Sequence, residues 1–205
     1  MVDPPAPEAT TGSDPVEVGV LLDLMPEKIG DWLADAAAYD AGGADALWID
    51  AGPEPELDVL AVAAALAVIT FRARLVVALP SAGNAPAGLA RTLDTITRLS
   101  HGRLVLVADR DQCAELAVLV PGTAILHRVA GGYAGAEAGV EAGAMEGLWV
   151  TAPPPEGRAS WQAALAEAAG RGAGGLVVPA GPRLLDILRN PDDPGDRTDL
   201  QLAQG

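Results

Sequence analysis

The sequence predicts an α/β fold, a TIM-barrel-like (β/α) barrel reduced to about seven βα units, on three observations. Short β-branched or apolar runs alternate with alanine-rich stretches of helical period, the pattern of a parallel sheet with crossover helices. The alternation recurs without a signal that strand order reverses, which favours a closed barrel over an open doubly wound sheet. Residues 1–15 and 190–205 are rich in Pro, Thr, Asp and other poorly buried types, so the barrel domain is expected at 16–189 between disordered tails.

The first strand reads VEVGVLLDL, residues 16–24. A helix follows in which Ile29, Trp32, Leu33 and Ala36 share one face, and Gly42 and Gly43 end it. ALWID, residues 46–50, is the second strand, and the helix over 57–71 is apolar nearly all round, as for a helix buried on more than one side. RLVVALP, residues 74–80, makes the third strand. After SAGNAP, a helix carries Leu89, Leu93, Ile96 and Leu99 on one side and pairs Asp94 with Arg98 on the other, stopping at Gly102. RLVLVAD, residues 103–109, is the fourth strand, and a short helix from Cys113 leads to the fifth, TAILHRV, residues 123–129. The glycine-rich stretch GGYAGAEAG, residues 131–139, is expected to be a loop that opens a short helix. GLWVTA, residues 147–152, is the sixth strand, Trp161, Leu165 and Ala168 mark the next helix, and GGLVVPA, residues 174–180, is the seventh strand. Pro182 begins a closing helix with Leu184, Leu185 and Leu188 on its apolar side.

Composition narrows the function classes. The chain has 205 residues, half of them apolar, enough for one well-buried domain. A formal charge of −15 opposes nucleic acid and anionic membrane surfaces, which are bound through clustered Lys and Arg. Cys113 is the lone cysteine, so neither an internal disulfide nor a multi-thiol zinc site can form. The first residues lack the basic and apolar regions of a secretory signal, and the longest apolar run, 59–71, falls short of the roughly 20 residues of a membrane span. The expected location is the cytoplasm.

A more specific signal runs from Ala44 to Val107. It contains a "GAD-x-LW" strand with Leu47 and Trp48, then an "A-x-x-T-x-R-x-RL" junction with Thr70, Arg72, Arg74 and Leu75. A third block places Pro86, Leu89, Ala90, Arg91, Leu99, Ser100, Gly102 and Arg103 in a "P-x-x-LAR…LS-x-GR" pattern. In order and spacing these blocks resemble the bacterial-luciferase-like flavin- or deazaflavin-dependent monooxygenase superfamily, of which this would be a shortened member. The resemblance implies an α/β barrel that binds FMN or deazaflavin at the carboxyl ends of the strands, a small-molecule substrate and a homodimer. In the family, reduced flavin reacts with oxygen, or the deazaflavin passes a hydride to a substrate. The fourth strand here ends in VADRD where the family has a "G-x-G" type, and AGPEPEL follows the second strand in place of polar residues.

Ligands of such folds gather at the carboxyl ends of the strands. The cofactor-contact set expected there is Asp50, Ser81, Asp109, Arg128, Gly131, Gly132 and Tyr133, with the amides of the glycine-rich loop and Arg128 holding a phosphate. No catalytic residue stands out. His127 titrates in the right range for an acid or base but sits on a buried strand, where a structural role is commoner. The four tryptophans occupy regular apolar positions and read as core. Two alternatives to a flavin-dependent oxidoreductase remain open. One is a degenerate, non-catalytic barrel acting as a structural or partner protein. The other is a Mg²⁺-dependent lyase or hydrolase, in which Asp23, Asp50 and Asp109 share one rim as oxygen ligands.

Overall fold

The computed structural model describes residues 15–24, 26–50, 52, 56–79, 86–135 and 147–191. The expected tails, the SAGNAP loop with Ser81 and the short helix after residue 135 lie outside these residues, apart from positions 15, 86, 190 and 191.

Eight strands close into a single barrel in sequence order. They are β1 (Glu17–Leu22), β2 (Ala46–Ile49), β3 (Arg74–Ala78), β4 (Leu104–Ala108), β5 (Ala124–Val129), β6 (Gly132–Gly135), β7 (Leu148–Thr151) and β8 (Ala173–Pro179). Among the described residues six α-helices accompany them: α1 (Ile29–Ala41), α2 (Val59–Ile69), α3 (Pro86–Leu99), α4 (Cys113–Leu119), α5 (Arg158–Gly170) and α6 (Pro182–Arg189). The seven expected strands are all present. The glycine-rich stretch departs from expectation: β6 is an eighth strand, antiparallel to both β5 and β7, while all other neighbours pair in parallel.

Local chemistry fixes the helix ends. Asp58 caps α2, its carboxylate accepting from the Leu60 amide at 2.9 Å. At the far end of α2, Thr70 donates from its hydroxyl to the Leu66 carbonyl at 2.7 Å. The turn after α3 holds His101 and Gly102 at φ 55° and 81°, where glycine bears no steric cost. In α5, the Ser160 hydroxyl reaches back and accepts from the amides of Gly157, the N-cap, and Glu156 before it at 3.1 and 3.0 Å, which fixes the entry of the chain into the helix. Pro182 opens α6, whose buried residues are Leu184 and Ile187, with Leu185 and Leu188 only partly buried.

Strand alternation divides the core in two. The outer faces pack against the helices through residues such as Leu47, Ile49, Leu66, Leu75, Leu93, Leu106 and Leu176. The inner faces fill the lumen with Ala46, Trp48, Val76, Ala78, Val105, Val107, Leu126, Trp149 and Val177. Two indoles occupy so much of this space that two strands must run bare beneath them. A Cβ at Gly175 would strike the Trp149 ring, and one at Gly19 would strike Nε1 of Trp48. The foot of the barrel is closed by an ion pair from Arg74 to Glu17, with the Arg74 guanidinium 5.8 Å from the centre of the Trp149 ring.

The motif residues assemble the junction between α2 and β3. Arg103 donates to the carbonyls of Thr70 and Ala73 at 2.6 Å each, to the Ala67 carbonyl at 3.3 Å and to the Thr70 hydroxyl at 3.2 Å. Asp40, buried in the last turns of α1, accepts from the amides of Phe71, Arg72 and Ala73 at 2.9, 3.0 and 2.7 Å. Burial lowers the Arg103 pKa, and the Asp40 charge opposes that shift.

Candidate functional site

The carboxyl-end mouth of the barrel gathers four of the seven expected contact residues. Asp50 continues the inward phase of Ala46 and Trp48 on β2, Asp109 that of Val105 and Val107 on β4, and Arg128 that of Leu126 on β5. Tyr133 reaches the same end because β6 runs the opposite way, its register placing it between Arg128 on β5 and Trp149 on β7.

An ion pair spans this mouth, from the Arg128 guanidinium to the Asp50 carboxylate at 2.7 Å, with both side chains partly exposed. Burial pulls the Arg128 pKa down. The hydrogen bond and charge of Asp50, followed by Tyr133 and Asp109, pull it up, and the net shift is upward. Burial likewise raises the Tyr133 phenol, with the Asp50 charge adding to the rise and Arg128 opposing it. Tyr133 therefore stays neutral well into the alkaline range and keeps its O–H as a donor. Its ring lies 4.5 Å from that of Trp48, and Trp48 lies 5.7 Å from Trp149, so the mouth has an aromatic floor.

Gly131 and Gly132 have a different role from the one expected of them. Gly131 sits at φ 75° in the two-residue turn between Val129 and Gly132, and β6 is paired on both edges. The place a Gly132 Cβ would take is filled by the carbonyl of Trp149. The closeness that needs glycine is strand against strand, and residues 132–135 form no phosphate-cradling loop.

The other candidates separate. His127 shares the outward phase of Ile125 and pairs in register with Ala108 of the outer core, so it faces the helices. It is buried, and its Nδ1 has no hydrogen-bond partner. Asp23 lies beside α1 and α6, and among the described residues no three His, Cys, Asp or Glu side chains converge on a metal position. The expected magnesium rim of Asp23, Asp50 and Asp109 is therefore not assembled among the described residues. Trp32 and Trp161 belong to the outer core and Trp48 and Trp149 to the lumen. The sequence reading missed the strand β6, although an Ala-Gly pair followed by alternating Tyr133 and small residues is a hairpin signal. It also missed the Arg74–Glu17 plug, whose partners are far apart in the chain.

This arrangement defines an α/β barrel with a polar mouth over an aromatic lumen. No protein-family model matches the chain, and no curated protein sequence does. Solved structures do match in part. The oxygenating constituent of 3,6-diketocamphane monooxygenase from Pseudomonas putida, in complex with FMN, aligns at 15% identity over 86% of this chain and 62% of its own, TM-score 0.42. An EDTA monooxygenase from Chelativorans sp. BNC1 aligns at 18% identity over 45% of this chain and 29% of its own, TM-score 0.39. A coenzyme F420-dependent tetrahydromethanopterin reductase from Methanopyrus kandleri aligns at 22% identity over 50% and 29%, TM-score 0.34. The chain thus spans less than two thirds of the length of each, and its closed barrel stands on its own strand pairing. Among the described residues no helix is long and apolar enough to cross a membrane.

Proposed function

We propose that the chain is a luciferase-like barrel that binds FMN or a deazaflavin coenzyme at its carboxyl-end mouth, as part of a flavin- or deazaflavin-dependent oxidoreductase. The observation that carries the reading is the mouth itself: Arg128, Asp50 and the neutral Tyr133 phenol, together at the rim above Trp48. That set offers a cation, an acceptor and a donor, the groups that the polar edge of a flavin-type ring requires, over an apolar floor. The sequence blocks from Ala44 to Val107 support the same family. When bound, a reduced flavin supplies electrons for oxygen and a deazaflavin supplies a hydride. The chain's own residues bind and orient: Arg128 meets the anionic part of the coenzyme, Tyr133 donates its O–H, and Trp48 and Trp149 keep water out of the lumen.

A second reading, a barrel with no coenzyme and a structural or partner role, is favoured by one observation: Arg128 is already paired with Asp50. Fluorescence titration with FMN and with the deazaflavin separates the two. The first reading expects saturable binding of one coenzyme, weakened roughly tenfold, or about 1.4 kcal/mol, by Arg128→Ala in a protein that still melts cooperatively. Absence of binding by the parent protein at high micromolar coenzyme gives first place to the second reading.

A further inference from the structure

The Asp50–Arg128 ion pair joins strands that are not neighbours. Asp50 follows β2 and Arg128 lies on β5, with β3 and β4 between them in the ring, so the 2.7 Å contact crosses the mouth as a chord instead of running along the wall. Both partners are set for it. One Asp50 oxygen accepts from the Gly52 amide at 3.1 Å, which leaves the other for Arg128. Arg128 stands in register with Tyr133 on β6, whose ring lies against Trp48. The lumen below is filled by Val76, Val107, Leu126 and the two indoles, so a ligand approaching the carboxyl end meets the pair before the lumen.

We propose that this pair is a latch: Asp50 occupies Arg128 in the free chain, and an anionic group of the ligand binds by taking the carboxylate's place. The proposal rests on the coenzyme reading above for the identity of that anion, the phosphate of FMN. Carboxylate and phosphate oxygens accept from the same face of a guanidinium, so one excludes the other. Of the four residues gathered at the mouth, Asp50 and Asp109 carry negative charge and Arg128 alone carries positive charge, so the latched rim is net negative and repels an anion. An ion pair with both side chains partly exposed is weak, which lets a phosphate open it while still lowering the affinity measurably. The latch thereby sets specificity. A phosphate replaces one negative charge with up to two, whereas a neutral ligand has nothing with which to displace Asp50.

Asp50→Asn opens the latch: it removes the charge and keeps an oxygen for the Gly52 amide. Asp109→Asn is the control, because Asp109 also acts on Arg128 through its charge, and its replacement leaves the Asp50–Arg128 pair in place. Full-chain titrations follow FMN and riboflavin, which lacks the phosphate, by fluorescence, and inorganic phosphate by calorimetry. Asp50→Asn should bind FMN and inorganic phosphate at least roughly threefold more tightly than the parent, with riboflavin unchanged and a smaller gain for Asp109→Asn. The latch is overturned if Asp50→Asn binds neither anion more tightly than the parent, if riboflavin gains as much as FMN, or if Asp109→Asn gains as much as Asp50→Asn. Should neither protein bind FMN while Asp50→Asn gains affinity for inorganic phosphate, the latch stands and the coenzyme reading falls. Should FMN bind the parent and Asp50→Asn equally, the coenzyme reading stands and the latch falls. Thermal melts of each variant show that the fold is kept.

Discussion

At the residue scale, the letters that most resemble a family turn out to hold the barrel together and lie away from its mouth. Arg103 satisfies carbonyls at the end of α2 and the start of β3, the positions where a helix otherwise leaves acceptors without partners. Charge-assisted hydrogen bonds of this kind are worth about 1.5–3 kcal/mol each when their loss strands a buried group. Arg103→Ala should therefore lower stability by about 3 kcal/mol in urea titration, and Arg103→Lys should recover only part, because an ammonium cannot span the guanidinium fork. An unchanged midpoint for Arg103→Ala would show that these bonds are replaced by water. The sequence made Thr70, Ser100 and Arg103 visible as a spaced pattern, but the groups that Arg103 holds, the Thr70 hydroxyl and the Ala73 carbonyl, lie 33 and 30 residues away, and only the folded barrel brings them together. The mouth was legible only in part: the strand-end rule offered Asp50, Asp109 and Arg128 beside others such as Asp23 and His127, and it took the strand pairing to separate the inward phase from the outward one. That Arg128 would be engaged by Asp50 was beyond such a rule.

At the element scale, β6 is where sequence and structure part. Its four residues are Gly132, Tyr133, Ala134 and Gly135, a composition with little strand propensity of its own, and its pairing is decided by the neighbours that need an eighth strand to close the ring. The other seven strands were legible because their apolar runs are largely buried on both faces, between a filled lumen and an outer layer of helices. Two glycine-to-alanine substitutions test the difference in what glycine does. Gly132→Ala drives a methyl into the Trp149 carbonyl and should destabilise by about 1–3 kcal/mol through separation of β6 from β7. Gly30→Ala, in α1 with nothing near its Cβ position, should be neutral or stabilise by up to about 1 kcal/mol. Equal effects on the melting temperature would mean that β6 does not hold its place in solution.

At the scale of the whole molecule, the chain is stapled by a phenol. Tyr39 ties α1 to the loop before α6, and with it the first strand's helix to the last. Burial raises the Tyr39 pKa above its ordinary 10.0, with the bond to Gly181 opposing and Asp35 adding a smaller rise. A folded pKa above the unfolded one contributes stability that is complete below pH 10.0 and is lost as pH rises through the folded value, where the phenolate can no longer donate. The melting temperature should thus hold level to mildly alkaline pH and fall beyond it. Tyr39→Phe should lower it at neutral pH and make the alkaline fall shallower, and identical alkaline slopes in the two proteins would sink the argument. Tyr133 and Cys113, both raised chiefly by burial, act in the same direction.

The lumen supplies the instrument for such measurements. Trp48 and Trp149 hold their rings 5.7 Å apart at 52° to one another, and they come from strands on separate parts of the ring. Two indole chromophores at that distance and tilt share their excitation, and a chiral, fixed pair of this kind gives a split circular dichroism band of opposite lobes. Closure of the barrel is what fixes the tilt. The couplet is accordingly an optical signature of the closed ring itself, present without any added label and abolished when the staves separate, even where the helices persist.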